Sequence, residues 1–199
     1  YQRHVRKRVY ELVKKFQPDH IYCQLIRAAE HVKHIHEVPK TLDYMDAFNK
    51  GVERRIEKSS WFMKRVLREE FRRLIAYENL IYEYFEHHTI ISEQDRDFIF
   101  HPQRKDIAVI PNGVDQEYFH PITKEKKYHL VFTGNMNYPP NVDSAVLLAE
   151  EILPLIQKVL PEVKLLIAGA QPSSRVKALD SEYVTVTGWM DDIRDAYAE

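Results

Sequence analysis

The last third of the chain alternates short apolar runs with helix-like segments, and this pattern constrains the fold most. HLVFTG, VKLLIAGA and YVTVTGW are short and nearly continuously apolar, as parallel strands buried on both faces are. Between the first two runs, apolar residues recur at helical spacing from Val142 to Leu160. We expect a helix there that Asn141 caps and that ends before Pro161. A short helix over residues 172–179, a strand over residues 183–189 and a helix from Asp191 complete a doubly wound parallel sheet.

The first half carries a second pattern of the same kind. Residues 5–16 form an amphipathic stripe, residues 25–35 favour a helix, and apolar residues from 61 to 85 mark a long helical segment. Strands are predicted over residues 21–23, 39–44, 89–91 and 107–110, and Ser92 is expected to cap a helix that begins at Glu93. The chain is therefore predicted to contain two parallel α/β units.

Turn residues separate the two units. Pro111, Asn112 and Gly113 follow an apolar strand, and this combination reverses a chain because Pro restricts φ while Asn and Gly tolerate positive φ. We predict a hinge at these residues. The predicted domains are residues 1–110, an interdomain linker at 111–127, and residues 128–199, with the two units facing across a cleft.

Glycines close the three strands of the second unit. The chain has five glycines, and Gly134, Gly169 and Gly188 follow the three apolar runs. Each of them alone is typical of a strand end. Together they favour a nucleotide-type ligand, because ligands of open α/β sheets bind outside the carboxyl ends of the strands, where a missing side chain lets phosphate approach the backbone.

These residues carry a family resemblance. VIPNGVDQEYFHP, VFTGNMNYPPNVDSAVLLAEEILPLI, LLIAGAQP and VTVTGWMDDIRDAYA resemble, in order and spacing, the group 1 glycosyltransferases, a retaining GT-B class that uses nucleotide-sugar donors. The likeness is greatest to bacterial exopolysaccharide-type members, and a weaker, collinear likeness extends through the first half. The resemblance implies two Rossmann-like units of GT-B type, each incomplete. It also implies a central fragment, inactive alone, without the family's Gly-rich first loop and its pair of spaced glutamates.

The resemblance also implies site residues. On the donor side they are Gly134, Asn135, Met136, Gly169, Pro172, Gly188, Trp189 and Met190. Many family members place an Arg after the first glycine and a Lys a few residues later, both on the donor diphosphate. Here Asn135 and, approximately, Pro140 occupy those positions, so only the weaker bonds of neutral donors are available.

Two carboxylates are the catalytic candidates. Asp43 and Asp46 follow a predicted strand of the first unit, and in the resembled family that strand ends at an acceptor-side residue. Either carboxylate can orient or deprotonate an acceptor hydroxyl, and either can instead cap a helix.

The expected function is transfer of a sugar from a nucleotide-diphosphate sugar to a saccharide or lipid-linked acceptor in polysaccharide biosynthesis. The alternative is a catalytically silent nucleotide-binding or scaffold module on the same fold. No cofactor is expected. A metal site is not expected either, because His31, His34, His36, His87 and His88 lack cysteine partners and closed-site spacing, and they read as surface residues.

Composition limits the partners and the location. A net charge of −1 gives no general attraction to nucleic acid. The single cysteine, Cys23, is predicted to be a buried, inert thiol, and nothing resembles a signal peptide or a membrane span, which favours a cytoplasmic protein. Basic residues in the long helical segment indicate a solvated face or a peripheral contact with the inner face of a membrane. Truncated sheets would favour self-association of the fragment.

Overall fold

The computed structural model describes residues 3–199, apart from the side chain of Lys58. The chain divides into two compact units between Gly113 and Val114. Each unit is built on its own parallel sheet, with four strands in the first and three in the second. The predicted α/β class with two Rossmann-like parallel-sheet units is therefore confirmed.

The first sheet has the strand order β1-β2-β3-β4, and every neighbouring pair is parallel. Cys23, Leu42 and His88 are aligned across three of its strands. The strands are β1 (Ile21–Gln24), β2 (Lys40–Asp43), β3 (His87–Ile90) and β4 (Ala108–Val109).

Helices enclose the apolar core of this unit. Cys23, Leu42 and Ile90 from the sheet pack in one cluster with Ile81 from the longest helix. Burial raises the pKa of the Cys23 thiol to about 11, so the group stays protonated. The helices are α1 (Arg3–Phe16), α2 (Phe48–Lys58), α3 (Trp61–Tyr82) and α4 (Glu93–Phe98), with 3₁₀ turns at Ala29–His31 and Arg104–Asp106.

Of two helix predictions in the first unit, one is confirmed and one is wrong. The Ser92 cap is confirmed, because its hydroxyl accepts the amide of Asp95 at 3.0 Å. The helix predicted over residues 25–35 is wrong, since only the 3₁₀ turn Ala29–His31 forms there. Leu25 has a φ of 72° and donates its amide to the carbonyl of Asp43, which removes it from any helical ladder.

The second sheet has the strand order β5-β6-β7 and is again fully parallel. Its apolar core includes Val142, Leu153, Leu165 and Ile167. The strands are β5 (Leu130–Thr133), β6 (Leu165–Ala168) and β7 (Val184–Val186), and the helices are α5 (Pro139–Leu147), α6 (Leu153–Gln157), α7 (Ser174–Lys177) and α8 (Ile193–Ala198).

The helix between β5 and β6 differs from the expectation at its start. It begins at Pro139 with Tyr138 as the N-cap residue, so the predicted cap at Asn141 is wrong. A π-helical turn, Leu148–Ile152, joins α5 to α6, and Pro154 is the second residue of α6. Proline lacks the amide that would continue the ladder, and a widened turn accommodates that loss. Strand β7 and helix α7 are shorter than predicted, which leaves Gly188 and Trp189 in a loop.

The backbones of β5 and β6 approach closely where the two strands end. The amide of Gly134 donates to the carbonyl of Ala168 at 3.1 Å. A Cβ atom on Gly169, whose φ is +145°, would lie 1.8 Å from the carbonyl oxygen of Gly134. Any side chain at residue 169 would therefore push the two loops apart.

We expect the substitution Gly169→Ala to destabilise the second unit by about 3 kcal/mol, through the backbone clash and the unfavourable φ. Urea unfolding followed by the fluorescence of Trp189, in a Trp61→Phe background, measures the effect. Gly188→Ala is the matched control, because a Cβ at residue 188 has open space around it. Equal midpoints for the two variants would contradict the prediction.

Helix α3 carries a fully buried carboxylic acid. One oxygen of Glu78 accepts the side-chain amide of Asn49 at 2.9 Å, while its other oxygen and the amide oxygen of Asn49 have no partner. Burial raises the pKa of Glu78 from 4.5 to about 7. Because the folded pKa lies above the unfolded one, stability falls as pH rises from about 4.5 through 7.

We expect Glu78→Gln to stabilise the protein at pH 8 by on the order of 2 kcal/mol and to change little at pH 5. Glutamine keeps an acceptor for Asn49, adds a donor for its unpaired oxygen and never ionises. Urea unfolding at the two pH values measures the difference, with Glu70→Gln, an exposed position on the same helix, as the control. A pH-independent gain would contradict the proposed cause.

Candidate functional site

The carboxyl ends of β5, β6 and β7 lie at one edge of the second sheet, since the strands are parallel and in register. Two of the loops that leave this edge are tied together. The amide of Met136 donates to the carbonyl of Ala170 at 2.9 Å, and the amide of Ser173 donates to the carbonyl of Met136 at 3.1 Å. The side chain of Met136 is fully buried. These two bonds hold the loop after β5 against the loop after β6.

The loop after β5 uses most of its own amides. Met136 and Gly134 donate to β6 and its loop, while Asn137 and Tyr138 donate to the side-chain and backbone oxygens of Asn135. Helix α5 then opens with Pro139 and Pro140, which have no amide hydrogen. Within residues 134–140 the amide of Asn135 alone has no protein acceptor. This helix start therefore offers little of the usual anion-binding capacity of a helix N-terminus.

Unpaired amides occur instead in the loops after β6 and β7. Among the described residues, eight amides there donate to no protein acceptor: those of Gly169, Ala170, Gln171, Gly188, Trp189, Met190, Asp191 and Asp192. Gln171 has a φ of 54°, a left-handed conformation that is uncommon for a residue with a side chain. The Trp189 side chain is 76% exposed. Backbone donors and an aromatic face thus meet at this part of the edge.

No basic side chain lies within these loops. Residues 134–138, 169–173 and 188–192 contain no Lys or Arg. Pro172 is half-buried and precedes Ser173, whose hydroxyl accepts the amide of Val176 at the start of α7. Arg175, in the following turn, pairs with Asp143 at 2.9 Å. An anion at this edge would therefore meet neutral donors rather than cations.

The segment before β5 groups with the second unit and contacts α8. Arg194 donates to the carbonyl of Tyr118 at 2.9 Å and to both oxygens of Asp192. The bonds from Arg194 lower the pKa of Asp192, which also caps α8. The amide of Lys127 donates to the carbonyl of Glu199. These contacts fix residues 118–127 along α8, and the division at residues 110 and 128 stays a prediction.

The predicted hinge residues lie outside regular structure. Pro111, Asn112 and Gly113 are exposed, and a Cβ at Gly113 would meet no atom within 4 Å. Their role as a hinge stays a prediction.

The two catalytic candidates of the first unit lie in different surroundings. Asp43 is buried, and its two oxygens accept the hydroxyl of Tyr22 at 2.7 Å and the amide of Met45 at 3.1 Å. The bond to Asp43 raises the pKa of Tyr22. Asp46 is exposed. Asp43 therefore shapes the turn after β2, where Met45 has a φ of 63°, and Asp46 is the freer carboxylate.

Sequence reasoning missed Tyr22. Tyr22 lies on β1 and is 61% exposed, and its hydroxyl donates to the buried carboxylate of Asp43. Strand alternation was the available signal, because Tyr22 stands between the less exposed Ile21 and Cys23.

Histidines form an aromatic stack rather than a metal site. Tyr82 stacks between His88, at 3.8 Å, and His101, at 3.7 Å between ring centroids. Both histidines are buried, so the expectation of surface histidines is wrong for His88. Desolvation lowers the pKa of His88 and keeps it neutral. Within residues 3–199, apart from the Lys58 side chain, no group of three or more His, Cys, Asp or Glu is placed to hold a metal ion.

A comparison with protein families matches the last part of the chain. Residues 127–199 match the family described as "Glycosyl transferases group 1". The resemblance inferred from the sequence is confirmed over this segment. A comparison with curated proteins found no similar sequence.

One similar solved structure is described as an S. aureus MnaA–UDP co-structure. The identity is 10%, the TM-score is 0.49, and the match covers 99% of this chain and 53% of that chain. The present chain thus spans about half the length of that structure.

Along the described part of the chain, every helix is too short or too polar to cross a lipid bilayer.

We expect Asp43→Asn to destabilise the first unit by about 2 kcal/mol, because it weakens one charge-assisted bond from Tyr22 and one from the Met45 amide. Asp46→Asn is the matched control and should change stability by less than about 0.5 kcal/mol. Urea unfolding at neutral pH followed by circular dichroism measures both. If Asp46→Asn proved the more destabilising variant, the assignment of Asp43 to the turn would be wrong.

Proposed function

We propose that this protein is a glycosyltransferase that takes a sugar from a nucleotide-diphosphate sugar and transfers it to a saccharide or lipid-linked acceptor in polysaccharide biosynthesis. The observation that carries this proposal is the family match over residues 127–199, which coincides with the parallel sheet whose edge carries unpaired amides. A donor domain binds its nucleotide at the carboxyl ends of the strands of a parallel sheet, and the family match covers a sheet with free backbone donors at that edge.

The donor nucleotide is proposed to bind across the β6 and β7 loops. Its base would stack on the exposed ring of Trp189, and its diphosphate oxygens would accept from the amides of Ala170, Gln171 and Gly188. Gly134, Asn135 and Gly169 would form the floor of the site, with Met136 supporting it from beneath and Pro172 and Met190 at its borders. Asn135 offers the remaining free amide of the first loop.

The acceptor is proposed to be oriented by residues of the first unit. Asp46 is exposed and suited to accept a hydroxyl proton, whereas both oxygens of Asp43 are already bonded. Asp43 would then act by positioning Tyr22 and the turn that carries Asp46.

One observation favours a second function. The three donor-side loops contain no Lys or Arg, so a diphosphate binds there through neutral bonds of about half the strength of charge-assisted ones. A nucleotide-binding module without catalysis fits this weakness. An assay of labelled sugar transfer from several nucleotide sugars discriminates the two: a transferase forms product, and a silent module binds nucleotide without forming any.

We expect nucleoside diphosphates to bind with a dissociation constant on the order of 1 mM. Titration with UDP, ADP and GDP should move the backbone amide signals of residues 169–171 and 188–190. Trp189→Ala should weaken binding by about tenfold through lost stacking. Trp61→Ala is the matched control, because Trp61 is equally exposed, at 76%, in the other unit.

A charge added to the first loop tests the position of the diphosphate. Asn135→Arg should strengthen binding of a nucleoside diphosphate by about tenfold and leave the plain nucleoside unchanged. Asn137→Arg, also exposed and two residues further along, is its control. Signals that move only in the first unit, or equal effects of the two Arg variants, would overturn the proposed site.

A further inference from the structure

The connection between α2 and α3 ends in a group of exposed apolar side chains. Trp61 and Phe62 open α3, and they are 76% and 63% exposed, with their rings in edge contact at 6.2 Å. Met63 and Val66 are exposed beside them. We call these four residues the apolar tip. Exposed apolar side chains grouped within six residues at one helix end are the kind of surface that marks an interaction site.

The helix behind the apolar tip is firmly held. Leu67, one turn further along α3, is buried, and Glu78 and Ile81 near the other end of the helix are fully buried. Helices α2 and α3 also pack along each other. The apolar tip thus lies at the exposed end of a helix that the core of the first unit holds in place.

Cations surround the apolar tip. Five side chains near it make no ion pair among the described residues: Arg54, Arg55, Lys64, Arg65 and Arg68. We call these five residues the basic rim. From residue 50 to residue 73 the sequence has nine basic and four acidic residues, whereas the whole chain has a net charge of −1. Positive charge is therefore concentrated where apolar surface is exposed.

We infer that the apolar tip and the basic rim bind the surface of an anionic lipid bilayer. Trp and Phe rings settle at the boundary of headgroups and acyl chains, roughly 5–10 Å deep, and Arg side chains pair with lipid phosphates. Each basic residue near an anionic surface strengthens binding about fivefold. This inference does not rest on the proposed transferase activity.

Two other occupants fit the charges and the chemistry less well. A second copy docked through the same surface would bring two basic rims together, since a two-fold interface places like patches on each other. A nucleic acid would satisfy the cations and stack on the rings, but it offers no apolar phase for Met63 and Val66. A bilayer satisfies both the cations and the aliphatic side chains.

The two tryptophans of the chain make the test specific. Trp189→Phe leaves Trp61 as the reporter of the tip, and Trp61→Phe leaves Trp189, which has the same 76% exposure. With vesicles of phosphatidylcholine and about one third phosphatidylglycerol, the emission of Trp61 should shift to shorter wavelength and be quenched by brominated acyl chains. Trp189 should do neither. A shift at Trp189 alone would overturn the inference.

Vesicle sedimentation measures the contribution of each side chain. Phe62→Ser should weaken binding by roughly tenfold, and Arg65→Gln should weaken it by about fivefold. Their controls are Phe100→Ser and Lys105→Gln, exposed residues of the same kinds outside the patch, which should bind like the parent chain. Binding should weaken as salt rises and should be lost on vesicles of phosphatidylcholine alone.

Three results would contradict the inference: no sedimentation with anionic vesicles at low salt, equal binding of Phe62→Ser and Phe100→Ser, or a dimer in light scattering that the Phe62→Ser substitution abolishes. The variants change exposed positions, and unchanged circular dichroism shows that each is folded.

Discussion

The close contact of two backbones at the end of the second sheet is the constraint on which the candidate donor site depends. Gly169 stands where a Cβ would lie 1.8 Å from the carbonyl oxygen of Gly134, so strands β5 and β6 can end side by side only without that side chain. The same approach allows the bonds between Met136 and the loop after β6. With those bonds formed, most backbone amides of the β5 loop already have protein acceptors. Free backbone donors remain in the loops after β6 and β7.

This arrangement changes which backbone amides of the protein are available to a ligand. A parallel α/β sheet usually offers phosphate the first turn of the helix after its first strand. Here Pro139 and Pro140 remove two of those amides, and Asn135 supplies oxygens that occupy two others. The remaining donors adjoin an exposed indole and no cation. Neutral donors beside an exposed ring thus fit the proposed weak binding of a nucleotide better than tight binding of free phosphate.

The first unit holds its polar groups in a different way. Glu78 and Asn49 bond each other in the core with two oxygens left unpaired, and Asp43 bonds Tyr22 at the edge of the sheet. Such buried polar contacts cost free energy unless they are satisfied, and they restrict how the helices and turns can be arranged. Meanwhile the unpaired cations and aromatic rings of the α2–α3 connection remain at the surface, where an anionic bilayer can bind them.

The sequence alone determined the elements whose signals are local. The apolar runs ending in Gly134 and Gly169 predicted parallel strands, and Ser92 predicted a helix start, because these signals depend on residues adjacent in the chain. Burial on both faces is confirmed for β6 but is wrong for β5, which lies at the edge of the sheet and is only partly buried. The two-unit α/β class followed from the order of the elements. Local patterns failed where distant contacts decided: the bond from Leu25 to Asp43 prevented a helix over residues 25–35, and His88 is buried by its stack with Tyr82.

Only the tertiary structure decided which candidate groups are free to act. Asp43 and Asp46 look equivalent in the sequence. In the structure, Tyr22 and Met45 donate hydrogen bonds to the carboxylate of Asp43, whereas Asp46 is exposed. Met136 resembles a ligand contact in sequence, but its amide bonds Ala170 and its side chain is buried. The reason is physical: residue type sets what a group can bond, whereas its availability depends on partners that only the folded chain brings within hydrogen-bond distance.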